Sequence, residues 1–197
     1  MIDYTELKEL VFKFSDNGIR YVEKTGAILI GHAPFVAPYA WVNAIFPTLS
    51  PESIKDLEDS LGRQIPDDYK DFLMNFSNGL QVLNDNLTLY GLRNNYRRDE
   101  DDVWQPFDIR LSNKYAVPAD ATPEMLFIGS YKWDGSKIYI HSKTNKVCFC
   151  SRDSSHPLKI WDSFITMLTL EIKRLYTLYD DSGRPLNKLH PKTPIIL

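Results

Sequence analysis

Cysteine is nearly absent from this chain of 197 residues, which has only Cys148 and Cys150. Two thiols at this spacing fall on one face of a strand. They cannot complete a four-ligand zinc site, and no histidine pair lies near them in sequence. The expectation is buried, reduced thiols of a cytoplasmic protein. Histidine is equally scarce: His32, His141, His156 and His190 are widely separated, and none lies in an HExxH zinc motif. No G-x-S-x-G elbow supplies a nucleophile. Asp153, Ser154 and His156 include triad residue types, but adjacency in sequence is not triad geometry. Gly26 and Gly31 belong to no phosphate loop, and the run Gly129, Ser130, Tyr131, Lys132 lacks Walker spacing. The sequence therefore offers no catalytic motif, and neither a cofactor nor a bound metal is expected. Long apolar runs are also missing: none approaches the ~20 residues that cross a bilayer. Residues 1–14 mix acidic, basic and apolar side chains and resemble no secretory signal, so no membrane partner is expected. A net charge of −3 with dispersed Lys and Arg leaves no concentrated basic patch for nucleic acid.

What is present is material for a core. Hydrophobic residues form 43% of the chain and charged residues 25%, proportions that place it among folded globular proteins rather than disordered ones. Its length fits one domain. Residues 1–40 read as a helix and hairpin extension, 41–180 as the core and 184–197 as an extended tail.

Residues 50–79 are the most legible part. Ser50 caps a helix that Pro51 opens; Ile54, Leu57 and Leu61 form its apolar stripe, and Gly62 closes it. Pro66 begins a second helix with Asp67 and Asp68 at its positive end and Tyr69, Phe72, Leu73 and Phe76 on its buried face. Asn78 and Gly79 end it. Gly62, Ile65, Pro66, Tyr69, Phe72, Leu73, Asn78 and Gly79 together resemble the signature of the SUKH superfamily, which includes a yeast cell-wall regulator and many bacterial toxin-immunity proteins. The similarity continues through Leu89, Tyr90 and Gly91, through residues 126–129, and into Trp161, Asp162, Ser163 and Phe164. Trp41 matches a Trp that precedes the first family helix. The resemblance implies a partner-binding fold and leaves the partner open.

Elsewhere Asp3 and Glu6 fit a capping box for an opening helix. Residues 19–23 and 27–30 fit a hairpin. Prolines 34, 38 and 47 mark an ordered arm too proline-rich for a regular element. Residues 87–91, 126–129, 137–141 and 146–150 alternate as strands, and short turns between the last three imply antiparallel pairing. Trp161, Phe164, Leu168, Ile172, Leu175 and Tyr179 fit a long final helix. The fold class is α+β, an antiparallel-leaning sheet with helices packed on it. The apolar end of the tail, Ile195 to Leu197, is expected to dock on the domain or on another subunit.

Three surfaces are candidates for contact. The charge cluster Asn94, Asn95, Tyr96, Arg97, Arg98, Asp99, Glu100, Asp101 and Asp102, followed by Val103 and Trp104, forms either a solvated loop or a recognition loop whose carboxylates meet a basic partner while Trp104 or Tyr96 anchors it; a cation site lacks the ligand alternation and Gly of a calcium loop. Trp133 and Asp134 sit at a turn, with the Trp either exposed or folded over the sheet edge. Residues 152–157 are a connector or a rim contact. The leading expectation is an immunity protein that binds a cognate toxin, possibly a nuclease. A regulatory scaffold is the alternative, and a hydrolase built around His156 or His141 is the third reading.

Overall fold

The computed structural model describes residues 2–194; Ile195, Ile196 and Leu197 lie outside the described residues. Among those described, nine strands run across one sheet in chain order: β1 (Ile19–Tyr21), β2 (Ile28–His32), β3 (Trp41–Ile45), β4 (Leu80–Val82), β5 (Leu87–Leu89), β6 (Met125–Tyr131), β7 (Lys137–His141), β8 (Val147–Cys150) and β9 (Pro157–Trp161). Every neighbouring pair is antiparallel. Five helices accompany them: α1 (Thr5–Val11), α2 (Pro51–Leu61), α3 (Asp67–Asn75), α4 (Ile109–Tyr115) and α5 (Phe164–Tyr176). The fold is α+β.

The punctuation around α2 works as the residues require. The Ser50 hydroxyl accepts from the Ser53 amide at 3.1 Å, and Gly62 takes the left-handed conformation at φ 65°. On α3, Tyr69, Phe72 and Leu73 are buried. The Tyr69 hydroxyl reaches the carbonyl oxygens of Tyr90 and Ile128, tying the helix to the β5–β6 seam. The capping box at the N-terminus does not form. The Asp3 carboxylate accepts from the amide and hydroxyl of Thr5 at 2.9 and 2.7 Å, whereas Glu6 pairs with Lys173 of α5.

Several expectations change. The proline-marked arm contains β3, because the prolines fall in the β2–β3 turn and just beyond the strand, so the residues between keep their amide donors. The β1–β2 hairpin is continuous with the rest of the sheet through β3. Trp161 ends β9 instead of opening the last helix; Ser163 caps α5 by accepting from the Thr166 amide at 3.3 Å. β9 is an edge strand paired on one side only, so it escapes a reading based on buried runs. β4 and α4 are likewise additions.

Alternation divides the sheet. Ile30, Val82, Leu87, Ile128, Ile138 and Phe149 join residues of the helices in the main core. The opposite face carries two smaller clusters. Val22, Ala27, Leu29, Ala44 and Phe46 receive Trp41 and Trp104, while Phe127, Tyr139, Cys148 and Cys150 receive Val117, Ala121 and Met125. Both thiols are free and buried, and burial pushes the Cys150 thiol up to about 12.

Candidate functional site

The second face of the sheet is crossed by the β5–β6 connection, and its first part, residues 92–108, forms a strap. Its root is a close backbone approach. The Asn78 side chain accepts from the Leu92 amide at 2.7 Å and donates to the Leu92 carbonyl at 2.8 Å. Gly91 donates to the Phe107 carbonyl and accepts from the Ile109 amide, both at 2.9 Å. The two ends of the strap are thus pinned side by side. Between them, Gln105 acts as an internal strut: its oxygen accepts from the Asn94 and Asn95 amides, and its nitrogen donates to the Asp102 carbonyl at 2.9 Å.

Cations of the first hairpin hold the strap down. Arg20 meets Asp101 at 2.7 Å, and Lys24 meets Asp102 at 2.6 Å. Asp102 is buried, and Trp104 is half-buried against the cluster of Val22, Ala27, Leu29, Ala44 and Phe46. Of the acidic cluster read from sequence, Asp102 therefore faces inward as a structural carboxylate and Asp101 is partly engaged. Asp99 stays out, its side chain 73% exposed and 3.9 Å from Lys24; Glu100 is exposed as well. Exposed Tyr96, Val103 and Phe107 flank them on the same strap. Clefts of about 280 and 260 Å³ adjoin it: one is lined by Lys24, Asn78 and Trp104, the other by Trp41, Gln81, Asp85 and Phe107.

Electrostatics favours the closed strap at neutral pH. The hydrogen bond from Lys24 holds the Asp102 carboxyl below its ordinary range. Burial works against the Asp108 carboxylate, yet the Arg110 side chain, the Tyr96 hydroxyl and the Arg110 amide together hold it below that range too. A carboxylate with a lowered folded pKa contributes stability above its unfolded value of about 4 and loses it as pH falls through the folded value. The strap is therefore expected to loosen below about pH 4, read from the Trp104 indole N–H resonance. Lys24→Gln should move that transition to higher pH. A resonance that stays fixed until the whole domain unfolds would refute the linkage.

Trp133 and Asp134 are not part of this patch. They lie in the β6–β7 turn, at the opposite end of the strands from the β1–β2 turn and five strands along the sheet, a lateral distance of about 24 Å. Trp133 is 42% exposed, and Asp134 accepts from the Ser136 amide at 2.9 Å. The triad types of residues 153–156 form a loop clasp: Ser154 donates to Asp120 at 2.8 Å, and His156 approaches Ser154 through its backbone N–H. That is not the order in which an imidazole activates a hydroxyl. Among the described residues no three His, Cys, Asp or Glu side chains gather as a metal set, and no helix is long and apolar enough to cross a membrane.

Residues 48–170 match the SMI1 / KNR4 family (SUKH-1), well over half of the chain. The chain belongs to this family. No curated protein matches it. The SUKH-1 segment contains α2, α3, the Asn78–Gly91 root and the whole strap. Trp41 and the strands β1 to β3 precede it, so the cations that clamp the strap come from outside the matched segment. Sequence reading missed Arg20, Lys24 and Gln105 as parts of the site. Nothing in their local pattern marks them, because their partners lie 81, 78 and about ten residues away.

Proposed function

We propose that this SUKH-1 protein is a non-enzymatic, cytoplasmic immunity protein that binds a cognate protein toxin and neutralises it by occlusion. Family membership supplies the class, since toxin-immunity proteins are among its members. The observation that carries the reading to a surface is the division of the strap. Asp101 and Asp102 hold it to the hairpin, which leaves Asp99 and Glu100 facing solvent next to exposed Arg97 and Arg98 and among Tyr96, Val103 and Phe107. Carboxylates beside large apolar side chains combine charge steering with ring anchors. A toxin with a basic working surface, such as a nuclease, complements them. Trp133 and Asp134, at the opposite end of the strands, lie outside this surface.

Capture of the tagged protein together with products of neighbouring genes tests the reading. A toxin recovered as a tight complex supports it; recovery of a constitutive cellular protein instead would assign a regulatory scaffold. With the toxin in hand, Asp99→Asn with Glu100→Gln should slow association about fivefold at low salt, an effect that fades as salt rises, with no change in unfolding midpoint. Unaltered association would place the interface elsewhere.

A further inference from the structure

At the other end of the molecule the tail returns across the β6–β7 turn and creates a site with the opposite charge. Lys192 is only 3% exposed. Its ammonium donates to the carbonyls of Asn187 and His190 at 2.8 and 2.7 Å, and it lies 5.6 Å from the Trp133 ring centre and 5.7 Å from that of Tyr179. Arg174 of α5 anchors the same residue by donating to its carbonyl at 2.8 Å. A second cation is placed in the same way: the Arg184 guanidinium stands 4.6 Å from the centre of the Phe35 ring. These rings and cations, with Lys188, line a cleft of about 460 Å³.

Two features define what this cleft accepts. First, among the described residues no carboxylate lines it and Arg184, Lys188 and Lys192 form no ion pair, although the chain as a whole is acidic. Asp180, which follows the lining residue Tyr179, takes the Ser182 and Arg184 amides and the Ser182 hydroxyl on its Oδ1. Second, the aromatic faces already hold cations, so they serve as supports that position positive charge instead of free platforms for stacking a planar ligand. Preset cations that form no ion pair among the described residues favour an oxyanion, and a guanidinium fork suits a carboxylate. The volume exceeds that of a single small ion and takes a side chain with adjoining backbone.

We infer that the cleft between the tail and the β6–β7 turn binds an acidic peptide segment through Arg184 and Lys188, with Lys192 and Trp133 as its fixed wall. This site is separate from the strap and does not depend on the immunity reading. The test uses the full chain, isotopically labelled and titrated with a short blocked peptide of Glu and Asp, with its Gln and Asn counterpart, and with inorganic phosphate. The acidic peptide should shift the Trp133 indole N–H and the Lys188 amide, and the neutral peptide should not. Arg184→Gln with Lys188→Gln should weaken binding about fivefold, the scale of two partly exposed ion pairs. Both side chains are exposed, so the variant should keep the wild-type spectrum elsewhere. No response at Trp133, an equal response to the neutral peptide, or an unaffected variant would overturn the site. A response to phosphate alone would overturn the peptide assignment.

Discussion

Replacing Asn43 with alanine is expected to lower the unfolding free energy by about 4 kcal/mol, because at least two buried backbone groups would lose their only side-chain partner. Asn43 is 1% exposed. Its amide nitrogen donates to the Val11 carbonyl and the Tyr176 hydroxyl, both at 2.8 Å, and its oxygen accepts from the Leu83 amide at 3.1 Å. One side chain thereby joins α1, α5 and the β4–β5 turn. That turn needs the help: Leu83, Asn84 and Asp85 all have positive φ, at 53°, 54° and 67°, and a left-handed leucine is a rare conformation that its surroundings must enforce. Urea unfolding should show a lower midpoint with an unchanged slope. A loss under about 1 kcal/mol would mean that water replaces the lost bonds.

Gly91→Ala should be nearly as costly, for a steric reason. A Cβ at this position would lie 2.5 Å from the Asn78 carbonyl oxygen and 2.7 Å from its carbon. These are backbone atoms in the turn that follows α3, with no rotamer to yield. The expected loss is about 3 kcal/mol, or about 10 °C in melting temperature for a domain of this size, and the strap should loosen with it because Gly91 pins both of its ends. A variant with unchanged melting and an unshifted Trp104 resonance would show that the root yields cheaply. Asn78 and Gly91, both within the SUKH-1 segment, thus have a physical account: Asn78 brackets Leu92 on either side, and Gly91 leaves room for it to do so.

The contrast between what could be read and what could not follows from distance along the chain. α2, α3 and α5 were visible because a cap, a breaker and a period of 3.6 are local signals, written within a few residues of one another. Two hairpins were visible for the same reason. β3 was hidden by prolines that in fact bracket it, β4 by having only three residues, and β9 by its place at the sheet edge beside a polar loop. α4 has a readable cap, since Asp108 accepts from the Arg110 amide at 2.8 Å, but its face carries a single buried residue, Ile109, so no apolar stripe announces it. At the site, the acidic run and its tryptophan stood out in the sequence. Which carboxylates turn inward did not, because Arg20 and Lys24 that decide it belong to the first hairpin. Trp133 was legible as a turn residue, whereas the lysine that covers one side of it comes from the tail.

Growth rescue tests the central claim most directly: cells expressing the captured toxin, supplied with the wild-type protein or with the Asp99→Asn, Glu100→Gln variant at matched levels. The account predicts that the wild type restores growth and that the variant, equally stable, restores less. A wild-type protein that is folded and present in excess yet leaves the cells dying would contradict it.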